Sequence, residues 1–487
     1  MVSSDFSSSF SGIDFVLFSL VLVISFLIGL YHGVWSKNKQ HTPEEYFLGS
    51  RNMGVLPVTM SLIVTFVSGV NIIGLSVETY VYGTYLWHYV FTIFIMLLFT
   101  TFIFLPIFHE LQLPSSFAYL KLRFGRSVQL LASFIYLMTT TLYVSINLYV
   151  PALVLVHVLG IPIPVTVVVL GSVCIFYTAI GGFSAVIWAD LFQTILLVVC
   201  CVAISYIGLD LVGGVDDVWK ASERGALIMY AFYESCDPVA SGVISKRDQL
   251  FSLFVFEMAE HFPGLPGLFI AGVFAGTLST MSSCLNSSTV CFYEDFVQPH
   301  LPEMSQRKTC NILKLITLCI GIIEISLVFI LEKIGTVYTI LITITGFTSG
   351  SMLGLFTLGM FIPRANQKGA IAGTLSSLVV VGIIIFGSFS KKPDPILPMR
   401  TDGCLHNVTI SSPKDDFPEE DLPWIFRISF MYFATIGFFI VYIVGIPVSL
   451  LTKHREVKDQ RLFAPFMRKS NDIKHLANDE EMKPLSG

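Results

Sequence analysis

The sequence contains little charge. Asp, Glu, Lys and Arg make up only 13% of its 487 residues, whereas soluble domains carry roughly 25%. Because a soluble protein of this length needs a larger polar surface, the composition argues against a cytosolic enzyme. The net charge of −5 at pH 7 and the lack of a basic stripe argue equally against a protein that binds nucleic acid.

Motifs for metal, redox and catalytic sites are also missing. The nine cysteines are scattered without C-x-x-C spacing, so no zinc or redox motif is found. Ionisable residues are few in and near the apolar runs, with Asp190, Glu324 and Glu78 as the acids of interest, whereas an intramembrane enzyme needs a cluster of acids, bases or metal ligands. The sequence shows neither the arginine ladder of a voltage sensor nor the polar rings of a channel. It therefore predicts no enzyme and no bound cofactor.

Apolar residues, in contrast, are abundant: they make up 54% of the chain, and the mean hydropathy is +0.75. Since one crossing of a bilayer needs roughly 20 mostly apolar residues, the sequence predicts an all-α polytopic membrane protein embedded in lipid. Eleven runs are long enough to cross, at about 13–33, 54–76, 84–107, 128–157, 162–181, 184–209, 266–290, 309–331, 335–361, 367–388 and 427–451.

The short loops between these runs set the predicted orientation, because Lys and Arg concentrate on the cytosolic side. These residues follow the first, third, seventh and ninth runs and open the C-terminal tail. The predicted organisation is an extracellular N-terminus at 1–12, membrane helices at 13–209, an extracellular segment at 210–265, membrane helices at 266–452 with an outer loop at 389–426, and a cytosolic tail at 453–487.

Two features of the predicted outer side can be tested. Asn407 begins an N-x-T sequon in the outer loop, so we expect it to be glycosylated. Cys236 and Cys404 lie in polar segments on this side, where a disulfide could persist. Two free thiols are the alternative.

A polar stretch at 276–283 interrupts the apolar character of one run. Gly276, Ser279 and Thr280 stand at i, i+3 and i+4, so their oxygens can converge on one helical face. Hydroxyl and carbonyl oxygens suit a hard cation such as Na⁺. The alternative is a face of small residues that only packs against another helix.

The run at 61–71 is a candidate for a broken helix. It carries β-branched residues together with Ser68, Gly69 and Asn71 in the middle of a span. A break would free backbone carbonyls, and unwound segments near the midplane are a recurring device of secondary transporters. The alternative is an intact helix, since membrane helices tolerate Gly and Ser.

Several longer stretches together resemble the sodium/solute symporter family over nearly the whole chain. The similarity is greatest to its branch of sodium-dependent multivitamin, iodide and monocarboxylate transporters, with an insect-type character. The matching stretches are 45–51, 181–193, 263–269, 278–280, 285–287 and 294–295.

The resemblance implies a plasma-membrane symporter with thirteen helices and an inverted-repeat, broken-helix core. Such a protein would couple inward Na⁺ movement to the uptake of a small organic or inorganic anion. The implied sodium ligands are the backbone oxygens of Val64, Val67 and Gly276 and the hydroxyls of Ser279 and Thr280. The implied sodium exit path or second ion site uses Asp190 and Gln193, and the implied substrate-lining residues are Thr65, Phe66, Asn71 and Tyr143. Two alternatives stay open: Asp190 could be a carboxylate capped near a helix end, and Tyr143 could be a packing aromatic.

The chain departs from this family pattern by two spans. After Gly225 the sequence runs directly into the short apolar piece 226–233 and then Cys236. Two missing helices with their loops would amount to roughly 60–90 residues. Losing an adjacent pair preserves the orientation of every later helix but removes the symmetry mate of the first broken helix. The alternative function is therefore a truncated, non-transporting form that associates with full-length transporters.

Overall fold

A computed structural model of the chain describes residues 11–35, 45–46, 49, 53–83, 88–113, 115–214, 228–233, 235–244, 247–259, 262, 264–302, 304–331, 337–388, 401–404, 423–452 and 459–468. These residues are helical or lie in turns, and no strand occurs among them. The α-helices are α1 (Gly12–Leu30), α2 (Val55–Phe66), α3 (Gly69–Tyr82), α4 (His88–Phe99), α5 (Leu105–Leu111), α6 (Ser116–Phe124), α7 (Arg126–Leu159), α8 (Ile163–Val212), α9 (Ile228–Phe232), α10 (Leu250–Ala259), α11 (Leu265–Phe292), α12 (Gln306–Leu331), α13 (Val337–Phe361), α14 (Gln367–Ser388) and α15 (Phe433–Leu451).

Within the described residues, nine helices are long and apolar enough to cross a membrane, and the bent pair α2–α3 makes a tenth. Helix α8 has 50 residues, which at 1.5 Å per residue is about 75 Å and more than twice the roughly 30 Å of a bilayer core. It is interrupted at Gly182, whose φ of 56° and ψ of −160° are not helical. Only glycine adopts such a conformation without strain.

The chain reverses direction at this interruption. Before it, the rings of Phe176 and Phe26 of α1 stack at 4.7 Å, and Tyr177 packs against Gly29. After it, the order along α1 is opposite. Trp188 stacks on His32, two residues beyond the end of α1, whereas the later Gln193 donates a hydrogen bond to Ser25, which lies earlier in α1, at 3.0 Å. Helix α8 therefore makes two crossings, which brings the total to the eleven that the sequence predicts.

The contacts divide the chain into two compact units. Unit 1 consists of residues 1–86, 140–341 and 393–418, and unit 2 of residues 87–139, 342–392 and 419–487. In unit 1, α11 is the central helix, because α1, α2, α3, α8 and α12 all pack against it. The Oδ1 of Asp14 in α1 accepts a hydrogen bond from the Gly267 amide in the first turn of α11 at 2.7 Å. A carboxylate at a helix N-terminus is favourable, and this contact fixes the start of α11.

The segment 210–265 contains two helices that the sequence analysis did not predict. Helix α10 is mostly buried, and Phe254 of α10 contacts Phe232 of α9 at 5.2 Å between ring centroids. Both helices are too short to cross a bilayer. A disulfide joins Cys236 to Cys404, with 5.0 Å between their Cα atoms. The neighbouring Asp237 accepts a hydrogen bond from Tyr80 at 2.6 Å, which ties this segment to α3.

Unit 2 is organised by close helix packing and one buried cation. Helices α14 and α15 meet through small residues, where Gly369 lies against Ser449, as is typical of membrane helices. Arg123 at the end of α6 donates hydrogen bonds to four backbone carbonyls at and just after the end of α13, namely those of Gly359, Ile362, Pro363 and Ala365. Burial lowers the pKa of Arg123, but a guanidinium stays charged in proteins.

Candidate functional site

The break predicted at 61–71 is present. Helix α2 ends at Phe66, α3 begins at Gly69, and the two axes differ by 48°. At the break, Val67 has φ −96° and ψ 72°, outside the helical region. The Ser68 hydroxyl then caps α3 by accepting a hydrogen bond from the Asn71 amide at 3.3 Å. Serine is a preferred N-cap, so the local sequence explains why a new helix starts here.

The break leaves backbone carbonyls without helical partners. In a continuous helix, residue 68 would donate to the Val64 carbonyl and residue 71 to the Val67 carbonyl. Neither hydrogen bond exists in the described residues, because Asn71 donates to Ser68 instead. The Asn71 side chain donates to the Phe66 carbonyl at 2.9 Å and holds the end of α2. Two adjacent carbonyl oxygens are thus free to accept another ligand.

Helix α11 approaches this break at Gly276. A Cβ added to Gly276 would lie 3.0 Å from both the Val67 carbonyl oxygen and the Gly69 nitrogen. The approach therefore favours glycine, since a side chain here would push these backbone atoms back by a few tenths of an ångström. One turn further along α11, the Thr280 hydroxyl is 2.9 Å from the Gly276 carbonyl and 3.2 Å from the Thr65 carbonyl. The structure thus brings the polar face of α11 against the break in α2–α3.

Some buried oxygen atoms in this region can still accept hydrogen bonds or bind a cation. The Ser279 hydroxyl is fully buried and has no hydrogen-bond partner in the described part of the chain. The Thr280 hydroxyl donates its proton to a carbonyl and keeps its lone pairs. Buried polar atoms are nearly always satisfied, so the Ser279 hydroxyl, on the helix that packs against the break, is a candidate ligand. The set consists only of oxygens, which suits a hard cation.

Asp190 on the returning half of α8 lies next to this set. Its Oδ2 accepts hydrogen bonds from Ser61 of α2 at 2.5 Å and from Ser283 of α11 at 3.3 Å. Its Oδ1 is buried and has no hydrogen-bond partner in the residues described, and Ser279 lies close to the carboxylate. The Thr65 hydroxyl oxygen lies 2.7 Å from the Ser61 carbonyl oxygen and 3.2 Å from the Ser283 hydroxyl oxygen, both within hydrogen-bond distance. Three helices therefore converge on one buried carboxylate.

The remaining residues that the sequence analysis assigned to the sodium exit path or the substrate site lie in different surroundings. The hydroxyl of Thr65, expected to line the substrate site, joins the cluster around Asp190. Gln193, expected beside Asp190, donates to Ser25 of α1. Phe66 is 69% exposed at the end of α2. Tyr143 lies half-buried on α7, and its substrate role stays a prediction. Asn407 lies outside the described residues.

Two members of the cluster, Ser61 and Ser283, are not among the ligands that the sequence analysis named. A spacing signal was available, because Ser61 precedes Thr65 by four residues and Ser283 follows Ser279 by four, so each pair shares a helical face. The signal gave no indication that both faces meet Asp190. That meeting depends on the packing of α2, α8 and α11, which no local pattern encodes.

The fold and the site together define a multi-pass membrane protein of the transporter class, with a broken helix packed against a buried cluster of oxygen atoms. Comparisons with known proteins agree. The sequence matches the profile of the Sodium:solute symporter family over residues 46–225 and 226–377. The chain belongs to this family, and it is therefore a sodium-coupled transporter and not an enzyme.

Individual relatives extend over most of the chain. Sodium-coupled monocarboxylate transporter 2 of Mus musculus is 31% identical over 93% of this chain and 86% of its own length. The Sodium-dependent multivitamin transporter of Oryctolagus cuniculus is 31% identical over 92% and 83%, respectively. The solved structure of a Na⁺-coupled sialic acid symporter has the same fold, with a TM-score of 0.68 at 21% identity, covering 93% of this chain and 100% of that one.

Proposed function

We propose that the chain is a symporter that couples Na⁺ entry to the uptake of a small monoanion, such as a monocarboxylate, a vitamin or an iodide-like ion. One observation carries the sodium part of the proposal: the hydroxyl-bearing face of α11 packs against the broken helix α2–α3, with the Thr280 hydroxyl 3.2 Å from the Thr65 carbonyl. The named relatives support the substrate class, since they are monocarboxylate and multivitamin transporters.

The Na⁺ ion would bind where the break meets α11. Its ligands would be the carbonyl oxygens of Val64, Val67 and Gly276 and the hydroxyl oxygens of Ser279 and Thr280. The free carbonyls at the break and the unsatisfied Ser279 hydroxyl support this assignment. The ion would join α11 to both α2 and α3. It would therefore favour the conformation in which these helices are close, because a ligand stabilises the state to which it binds more tightly.

Asp190 would hold a second cation or receive the first on its way to the cytosol. Its free Oδ1 and the hydroxyls of Ser61, Ser283 and Thr65 offer oxygen ligands close to Ser279. A carboxylate without a nearby cation is costly in a membrane, and a bound Na⁺ would remove that cost. Gln193 would act from the side of α1, through its contact with Ser25.

Substrate would bind on the exposed side of the break, near Phe66, Asn71 and Tyr143. The membrane-spanning runs contain no arginine cluster that could hold a larger anion, which favours a monoanion. The N-terminus would lie outside the plasma membrane and the C-terminus in the cytosol. The inside-negative potential would then drive Na⁺ inward, at about 2.3 kcal/mol per charge for each 100 mV.

The test is Na⁺-dependent uptake of labelled pyruvate, iodide and biotin by cells that express the chain, with Na⁺ replaced by choline as the blank. Uptake of at least one substrate should depend on Na⁺ and be lost in Ser279→Ala and Thr280→Ala. Ser288→Ala is the matched control, because Ser288 is a buried α11 hydroxyl without a partner in the described residues and lies two turns away. Uptake that is unchanged in both site variants would contradict the sodium assignment.

A second candidate is a non-transporting form that pairs with full-length transporters. The alignment with the mouse relative runs over 536 positions, 49 more than the 487 residues of this chain, so at least 49 positions of that protein face no residue here. The two matched segments of the family profile also meet between 225 and 226, where the sequence analysis places two missing helices. Absent uptake by this chain alone, combined with reduced uptake by a co-expressed full-length relative, would favour this candidate.

A further inference from the structure

A second buried acid lies in unit 1, outside the site described above. Glu324 belongs to the buried stripe of α12, where Leu313, Thr317, Gly321, Glu324 and Val328 recur at intervals of three or four residues. This spacing places Glu324 on the face that packs into the protein. The residue has no exposed surface, and neither carboxyl oxygen makes a hydrogen bond in the described part of the chain.

The surroundings of Glu324 are tightly packed. One turn before it, a Cβ added to Gly321 would overlap the side chain of Ile175 in α8, and Ile325 lies against Gly171 of the same helix. On the side of α7, the Ser145 hydroxyl donates to the Glu324 backbone carbonyl at 2.9 Å and to the Thr141 carbonyl at 2.8 Å. The nearest hydroxyl is therefore committed to the backbone and not to the carboxyl group.

Among the described residues, no charged side chain is recorded as interacting with Glu324. The titratable groups that interact with it from the helices packed against α12 are the thiols of Cys174 on α8 and Cys284 on α11. Thiols are ordinarily neutral near pH 7, and on the side of α7 the Ser145 hydroxyl contacts the Glu324 backbone. An isolated ionised carboxylate in an apolar interior costs far more free energy than the neutral acid. The packing described here is thus compatible with a carboxyl group that carries a proton.

A metal cation is a poorer occupant of this place. A hard cation needs several oxygen ligands, whereas two of the side chains near Glu324 end in sulfur, which suits softer metals. A proton needs only the carboxyl group itself.

From this geometry we propose that Glu324 is a proton-binding site between α8 and α12, so that a proton is a ligand of unit 1 in this conformation. A step that moves α12 away from α8 would hydrate the carboxyl group and release the proton. Acidic medium therefore favours the closely packed arrangement of the two helices. This proposal does not rest on the sodium site or on transport activity.

Infrared difference spectroscopy of the purified full-length chain near neutral pH tests the proposal. The spectrum of the wild type minus that of Glu324→Gln should contain the C=O stretching band of one protonated carboxylic acid, with no change in the bands of ionised carboxylates. Loss of ionised carboxylate bands in Glu324→Gln, with the protonated band unchanged, would overturn the proposal.

Glu110→Gln is the matched control, because Glu110 forms an ion pair with Arg468 at 2.7 Å. This variant should lose ionised carboxylate bands and keep the protonated one. If Glu324→Gln does not fold, Glu324→Asp replaces it, since it keeps a protonatable group. The protonated band should then move to the frequency of an aspartic acid, and a band that does not move would contradict the proposal. Because the measurement needs no transport, it tests the proposal even if the chain takes up no substrate.

Discussion

At the residue scale, buried oxygens without partners near the helix break support the proposed sodium site. The Ser279 hydroxyl and one Asp190 oxygen are buried without partners in the described residues, although leaving a polar atom unsatisfied costs about 1–3 kcal/mol. Spacing and resemblance named Ser279, Thr280 and Asp190 from the sequence, and their roles as ligands stay predictions. The sequence could not place Ser61 and Ser283 on Asp190, because that contact arises only when three helices pack together.

Replacing Asp190 tests whether its carboxylate takes part in binding Na⁺. Asp190→Asn keeps the size of the side chain but removes its charge, so we expect the affinity for Na⁺ to fall by about 10- to 100-fold, as is usual for changes around a metal site. The measurement is the binding of labelled Na⁺ to purified protein. Thr166→Val is the control, since Thr166 is a buried α8 hydroxyl without a partner in the described residues. Equal Na⁺ affinity in Asp190→Asn and the wild type would show that Asp190 is only structural.

The helix break is the decisive feature at the scale of elements. Ser68 and Gly69 allowed its prediction, since serine caps helices and a break was expected in the middle of an apolar run. The reversal of α8 at Gly182 falls between the two runs predicted at 162–181 and 184–209. The sequence did not reveal α10, because a helix of ten residues within a segment between two spans carries no membrane-crossing signal. Its aromatic residues are buried by tertiary contacts, Phe254 with Phe232 of α9 and Phe251 with Phe269 of α11.

Adding a methyl group at Gly276 tests the contact between α11 and the break. Gly276→Ala would place a Cβ 3.0 Å from the Val67 carbonyl oxygen, which must shift by a few tenths of an ångström. We expect Na⁺ affinity to decrease by about tenfold, corresponding to about 1.4 kcal/mol, while the protein still reaches the membrane. Gly382→Ala is the control, because its nearest neighbour would be Phe347 at an ordinary 3.4 Å. A Gly276→Ala protein with wild-type Na⁺ affinity would argue against a ligand at the break.

The disulfide between Cys236 and Cys404 connects segments 168 residues apart. Removing a disulfide typically costs about 2–4 kcal/mol, so Cys404→Ser should lower the thermal unfolding temperature of the purified protein. The double variant Cys236→Ser/Cys404→Ser should unfold at nearly the same temperature as either single variant, because one bond is lost in each case. Additive losses in the double variant would show that the thiols act independently.

At the scale of the whole molecule, eleven crossings are consistent with the odd span count inferred from Lys and Arg. An odd count places the two termini on opposite sides of the membrane. The resemblance to the family implies two more helices, and the alignment with the mouse relative contains at least 49 positions without a counterpart here. Removing a pair preserves the orientation of all later helices. The residues proposed to bind sodium lie on helices that this chain retains, whereas the proposed substrate cavity would lose part of its wall.

Glycosylation tests the orientation of the whole chain. Asn407 should carry a glycan if the loop at 389–426 lies outside. Treatment with a glycosidase should therefore increase the gel mobility of the wild type but leave Asn407→Gln unchanged. A wild-type protein whose mobility does not respond, although it reaches the cell surface, would contradict the predicted orientation.

Direct binding of labelled Na⁺ to the purified chain tests the account most directly, because it needs neither substrate nor uptake. The account predicts saturable binding by the wild type and by Ser288→Ala. Binding should be weakened by about 10- to 100-fold or lost in the double variant Ser279→Ala/Thr280→Ala. Identical Na⁺ isotherms for the wild type and the double variant would contradict it.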